Sequence, residues 1–292
     1  MNRDIDTVHV DARIIGNLAG ASRFAASRDR LTADDLAAWS FLPETRALIE
    51  QVSSVLSGRI VRLSLNASDI AKAKDAVLVL TAAAGEAVQV EAGKNTFWYS
   101  LGVALDASPV SADGVAANPF HIDMMTFTRF PNAMAIMCER TDPNGGGATL
   151  LAAISEATER LSAEDRHALG APAFSYWMDD GLINVGRHLE QFPVLPGEPG
   201  GRVRFSSKLP DRIAKTPSLS GAAREALPSI HRFVASLERS AIRLMLAPYD
   251  VILFSQYHYC HGRSELGEDQ AVLDPASRRQ LWRLYFNAAE TS

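Results

Sequence analysis

The stretch NPFHIDMMTF, residues 118–127, sets His121 and Asp123 one residue apart inside an apolar segment introduced by Asn118 and Pro119. In extended backbone, residues i and i+2 project to the same face, so a strand here would aim an imidazole and a carboxylate together. Two such donors can chelate one ion. A second histidine from a distant strand would complete three ligands on one face of an octahedral metal and leave the remaining positions open. The sequence offers His261 for this, late in the apolar segment YDVILFSQYHYCHGR, residues 249–263, which reads as one strand.

A lone His-x-Asp is a weak signal, and the chain contains another in His9 and Asp11 of VHVDAR. That pair falls among the first residues, where no buried scaffold has formed, and is set aside as a decoy. His258 competes with His261 for the distal position. Three residues separate them, so a strand would turn them to opposite faces. His167 and His231 sit in helical patterns, and His188 lies in a Gly- and Pro-rich stretch.

Working outward, the chain is organised as α+β with a mainly β core. Thr32 and Asp35 fit a capping pattern ahead of Leu36 and Trp39, and Leu48, Ile49, Val52, Val55 and Leu56 share a helical face that ends at Gly58. Two helices are therefore expected before residue 58. RIVRLSL (59–65) and AVLVLTA (76–82) read as strands around a helical ASDIAKAK. From Phe97 onward, apolar runs alternate with Gly, Pro, Asn and Asp, the spacing of an antiparallel sandwich or barrel. Helices are expected over 151–168 and about 219–245, and the stretch between, about 170–215, reads as a lid or long insertion. The whole is read as a single domain, 1–292, with residues 1–95 as an N-terminal cover on a core of 97–287.

Bulk properties narrow the partners. The formal net charge of -5, with both signs mixed along the chain, argues against a nucleic-acid binder that relies on a basic face. No apolar run approaches the roughly 20 residues that span a bilayer, and the N-terminus lacks a charged-then-apolar leader. No membrane partner and a cytoplasmic location are the expectation. The two cysteines, Cys138 and Cys260, are a poor case for a disulfide framework and are expected to be small buried hydrophobes.

Three segments taken in order, FHIDMMTFTRFPNAMAIMCERTDPNGGGATLLAAI, VILFSQYHYCHGR and RRQLWRLYF, resemble the Fe(II)- and 2-oxoglutarate-dependent dioxygenases of the taurine dioxygenase (TauD/TfdA) superfamily, and most of all its clavaminate synthase-like branch. The resemblance covers about residues 97–287. It implies a double-stranded β-helix (jelly roll) with flanking helices, and Fe(II) held by His121, Asp123 and His261. It implies O2 and 2-oxoglutarate as co-substrates. Arg279, somewhat further from His261 than the family places its arginine, matches the residue that forks onto the distal carboxylate of 2-oxoglutarate, and Thr149 matches the threonine that meets the same group. Arg283 aligns with a substrate-anion arginine, with a structural ion pair as the equal alternative. Met124 falls where the family lines its substrate cavity, unless it simply packs in the core.

The activity implied is hydroxylation, desaturation or cyclisation at an unactivated C–H of a small carboxylate-bearing metabolite, an amino acid or its derivative. The alternatives are taurine-type cleavage of a small sulfonate or aryloxy acid, or a jelly-roll binding protein without turnover. An aspartate at 123, where halogenases of this kind carry glycine, favours oxygenation. The chain departs from the branch in having His-x-Asp where many of its amino-acid hydroxylases have His-x-Glu. It also has Ser255–Gln256 in place of the usual Asp-Asn, and Tyr249–Asp250 in place of Gly-Asp.

Overall fold

A computed structural model describes residues 5, 7–25, 29–94, 96–175, 181–197, 201–215 and 221–289. The first third runs β1 (Thr7–Val10), α1 (Ala12–Ala21), β2 (Arg30–Thr32), α2 (Pro43–Ser53), β3 (Val61–Leu65), α3 (Ile70–Ala83) and β4 (Gly85–Val88). The middle carries β5 (Trp98–Leu101), β6 (Asn118–His121), β7 (Ala133–Arg140) and β8 (Thr149–Ala153), followed by α4 (Ile154–Glu159) and α5 (Ala163–Gly170). After it come α6 (Leu209–Lys215), α7 (Gly221–Glu225), α8 (Leu227–Ser240), β9 (Ala241–Leu244), β10 (Asp250–Ser255), β11 (Tyr259–Arg263) and β12 (Gln280–Ala288).

Two sheets form the core expected from the sequence. The larger has the order β1-β3-β10-β7-β12-β4-β2 with β5 also on β12, and the smaller runs β6-β11-β8-β9. Every described pairing is antiparallel except β1 on β3. The middle strands of the larger sheet are buried on both faces, and alternation sorts their residues between two apolar cores. Met134, Ile136, Cys138, Ile252, Phe254 and Tyr285 face the smaller sheet, while Ala133, Ala135, Met137, Val251, Leu253, Leu284 and Phe286 face helices α1–α3. That double burial is why AMAIMC and VILF read as unbroken apolar runs.

The same logic corrects AVLVLTA, which the sequence suggested to be a strand. It is the C-terminal part of α3, capped by the Asp69 side chain accepting from the Lys72 N–H, and every residue from Ala76 to Ala82 is buried. A helix enclosed on all sides shows no polar stripe, so periodicity cannot separate it from a buried strand. The Thr32–Asp35 pair does form reciprocal hydrogen bonds, but it opens only a single 3-10 turn, Asp34–Leu36. The helix before residue 58 that went unpredicted is α1, and Asp11 of the decoy pair caps it by accepting from the Arg13 and Ile14 N–H groups. His9 stands exposed on β1.

Three other expectations are redrawn. Residues 151–168 split into β8, α4 and α5, where the Ser162–Asp165 capping box restarts the helix. The stretch from 219 breaks into α7, α8 and β9, with 219 and 220 outside the described residues. YDVILFSQYHYCHGR is two strands in different sheets, β10 and β11, joined by a tight turn at 256–258. At its start Tyr249 holds φ at +67°, the left-handed conformation that the family's glycine would adopt at no steric cost.

The proposed lid, 170–215, includes 176–180 and 198–200, which lie outside the described residues. Its described parts are stitched to the segment after His121. Ile122 N–H donates to Phe205, Ser207 N–H to Phe120, Thr128 N–H to Arg187 and Leu189 N–H to Thr126. The Arg204 guanidinium adds bonds to the carbonyls of Met125 and Phe127.

Candidate active site

His121 closes β6 and His261 lies directly opposite it on β11, so the pairing of two antiparallel strands brings the imidazoles together, tilted at 46° with ring centroids 4.3 Å apart. Asp123 is not on the strand: it begins the turn that follows, and Met124 at φ +55° bends the chain immediately after it. His121 and Asp123 thus converge through a turn rather than by sharing a strand face. Asp123 Oδ1 lies 3.3 Å from His121 Nε2, and Oδ2 lies 3.5 Å from His261 Nε2. One ligand atom from each of the three residues falls within 4.8 Å of the others, a spacing a single metal ion can bridge.

Their protonation suits a cation. His121 Nδ1 sits 2.8 Å from the Pro119 carbonyl, which can only accept, so Nδ1 carries the hydrogen and Nε2 presents its lone pair. Burial, with the neighbouring His121 ring, pushes the His261 pKa down to about 4, leaving that imidazole neutral. Burial opposes ionisation of Asp123, but the Arg283 guanidinium and the His261 ring outweigh it and hold the carboxyl well below its usual range.

Further contacts aim the carboxylate. The Asp123 N–H donates to Gln256 Oε1 at 2.9 Å, while Gln256 Nε2 donates to the Pro131 carbonyl. Gln256 is one of the residues at which the sequence departs from its relatives, and here it fixes the backbone of the turn. Asp123 Oδ2 accepts from Arg283 Nη1 and from the Tyr285 hydroxyl, each at 2.8 Å. Burial raises the Tyr285 phenol well above its ordinary value, so it remains a donor. Tyr285 was not singled out from the sequence, although period-2 alternation along β12 puts it on the inward face with Arg283.

Beyond the histidines a small cavity is lined by His121, His261, Thr149, Arg263, Arg279 and Arg283, with Leu101, Ile136 and Leu281 among its apolar walls. Arg279 is 5% exposed and has no carboxylate partner among the described residues. Burial, helped by Arg263 beside it, lowers its pKa to about 10, which leaves it protonated at neutral pH. A buried cation without a counter-ion is costly unless an anion joins it. Thr149 is buried against the same space. The glycines of DPNGGG make room: Gly147 has φ +72°, and a Cβ there would lie 2.7 Å from Arg279 Cδ. Arg263, also missed in the sequence, donates to the carbonyls of Gly114, Ala116 and Ser264 and so ties the 102–117 loop over the cavity.

The remaining candidates fall elsewhere. Met124 is buried within the apolar core beside Asp123. His258 Nε2 contacts the Leu56 carbonyl at 2.7 Å, away from the triad. His188 packs edge-on against Phe127, and His167 and His231 are exposed on helices α5 and α8. Cys138 and Cys260 are buried and unpaired, and burial pushes the Cys138 thiol up to about 12.

With this geometry in view, residues 92–285 match the taurine catabolism dioxygenase TauD, TfdA family. The chain belongs to that family, and it is a 2-oxoglutarate-dependent dioxygenase. No curated protein matches it by sequence. Among solved structures it resembles asparagine oxygenase in complex with Fe(II), 2S,3S-3-hydroxyasparagine and succinate, with 18% identity and a TM-score of 0.70 over 97% of this chain and 93% of that one. It also resembles the non-heme iron oxygenase OrfP in complex with Fe and alpha-ketoglutaric acid, with 12% identity and a TM-score of 0.68 over 98% and 95%. At such identities the likeness establishes the fold, the jelly roll of these oxygenases. No described helix is long and apolar enough to cross a membrane.

Proposed function

We propose that the chain oxygenates an unactivated C–H bond of a free amino acid or an amino-acid-derived carboxylate, with His121, Asp123 and His261 as the ligands of Fe(II) and Arg279 with Thr149 as the seat of the distal carboxylate of 2-oxoglutarate. The observation that carries this reading is the opening of the His-Asp-His cluster onto a cavity whose wall includes the buried Arg279 guanidinium, which has no carboxylate partner among the described residues. A neutral His261 imidazole and an ionised Asp123 carboxylate are protonation states that suit a divalent cation. The planar fork of Arg279 suits a carboxylate end-on. When bound, the metal with 2-oxoglutarate and O2 would supply the oxidant for the C–H bond, and 2-oxoglutarate would leave as succinate and carbon dioxide.

The protein's own part is positioning. β6 and β11 fix the two imidazoles, Gln256 fixes the turn of Asp123, and the lid segments bonded to residues 120–130 shield the site from water. The amino-acid class is supported by the fold neighbours: asparagine oxygenase is complexed with 2S,3S-3-hydroxyasparagine and succinate, and OrfP, in another complex, with succinate and (3S)-hydroxy-L-Arg. Succinate release measured across panels of amino acids, small sulfonates and aryloxyacetates tests it. Stimulation by an amino acid is expected, and stimulation confined to a sulfonate or aryloxyacetate would move the assignment to taurine-type cleavage.

A further inference from the structure

Asp123 is the one member of the cluster held by a turn rather than a strand, yet its carboxylate is tightly constrained. Oδ2 receives two donors, Arg283 Nη1 and the Tyr285 hydroxyl, and lies 3.5 Å from His261 Nε2, whereas Oδ1 takes neither donor and lies 3.3 Å from His121 Nε2. Both donors stand on β12, two residues apart on its inward face. β12 is bonded to β7, β4 and β5 and is among the best-supported strands of the larger sheet. The aim of a carboxylate on an irregular turn is thus set by a rigid strand across the site.

A carboxylate whose one oxygen already accepts two hydrogen bonds offers a metal only the other. Chelation through both oxygens would occupy one of the positions that co-substrate and oxygen require. We propose that Arg283 and Tyr285 form a two-donor clamp on Asp123 Oδ2 that keeps this ligand monodentate and oriented. Arg283 is then a positioning residue, the ion-pair alternative of the two its sequence context allowed. The inference rests on the assignment of Asp123 as a metal ligand.

The test is anaerobic titration of the full-length apo protein with Mn(II), with no 2-oxoglutarate or substrate present, reading free Mn(II) by its electron paramagnetic resonance signal. Supporting groups of this kind contribute roughly 10- to 100-fold to metal affinity. Tyr285→Phe and Arg283→Met are each expected to weaken Mn(II) binding by about 10-fold or more, and Arg283→Lys, which keeps a charged donor, to fall between Met and wild type. Melting temperature of the apo proteins checks that Tyr285→Phe, which removes one oxygen, is folded as wild type. Wild-type affinity in both Tyr285→Phe and Arg283→Met, with only the KM for substrate raised in the latter, would overturn the clamp and make Arg283 a substrate anchor. His121→Ala separates the two levels: if it too binds Mn(II) as wild type does, the ligand assignment itself fails.

Discussion

Asp123, partly buried, and Asp165, buried, are both carboxylates paired with an arginine, and the difference between them separates a working site from a fastening. Asp165, in the first turn of α5, has both oxygens engaged by protein. Oδ1 accepts from the Ser229 hydroxyl, and the Arg232 guanidinium reaches both oxygens from α8. Oδ2 also takes the Ser162 N–H of the capping box. Nothing is left for a ligand. On Asp123 both protein donors meet Oδ2, which also lies 3.5 Å from His261 Nε2, while Oδ1 takes neither and faces His121 Nε2 at 3.3 Å. An arginine beside a buried acid therefore says little by itself; what the acid leaves unsatisfied says more.

The comparison breaks most visibly on activity. Asp123→Asn, which keeps the volume and an acceptor for Arg283 and Tyr285, is expected to reduce succinate formation by at least two orders of magnitude. Its melting temperature should stay near that of wild type, and Asp165→Asn should do the reverse, losing stability with the turnover of the remaining folded enzyme intact. Loss of turnover in Asp165→Asn under conditions where it is fully folded would erase the distinction. Next in size is Arg279→Leu: removing the partner of a buried carboxylate costs roughly 2–5 kcal/mol, so the KM for 2-oxoglutarate should rise by about 30-fold or more. An unchanged KM would remove Arg279 from the co-substrate site.

The pH dependence sharpens the structural side. Arg232 hydrogen bonding, against a smaller opposing effect of burial, holds Asp165 below the usual carboxylate range. A depressed folded pKa contributes stability that is present above the unfolded value, about 3.9, and is lost as pH falls toward the folded one. The gap in urea midpoint between wild type and Asp165→Asn should therefore be full at pH 7 and narrow below about pH 4. A gap that widened with acid would contradict the assignment. Ser162→Ala is the mildest change, removing the N-cap of α5 for about 1 kcal/mol, read from the same urea curves.

Legibility in the sequence followed where the chemistry was local. His121, Asp123 and His261 stood out as potential metal donors in apolar segments, whereas Arg279 and Arg283 came forward only through the family resemblance of RRQLWRLYF. The strands of the larger sheet were visible as apolar runs, but α3 was not distinguishable from them, since enclosure on every side removes the polar face that marks a helix. Tyr285 and Gln256 act through Asp123 across distances of more than 130 residues in sequence. A tyrosine in an apolar strand and a glutamine in a turn carry no sign of that partner. Tyr285 was still recoverable: once Arg283 is placed inward on β12, alternation puts the tyrosine beside it.

Asp123 and the two histidines are assigned as the ligands of the iron to which 2-oxoglutarate binds. Anaerobic addition of Fe(II) and 2-oxoglutarate to the full-length protein measures this directly, through the weak visible charge-transfer absorption of an iron-chelated keto acid. The band is expected in the wild type and absent in His121→Ala. A band of unchanged position and intensity in that variant would contradict the ligand set.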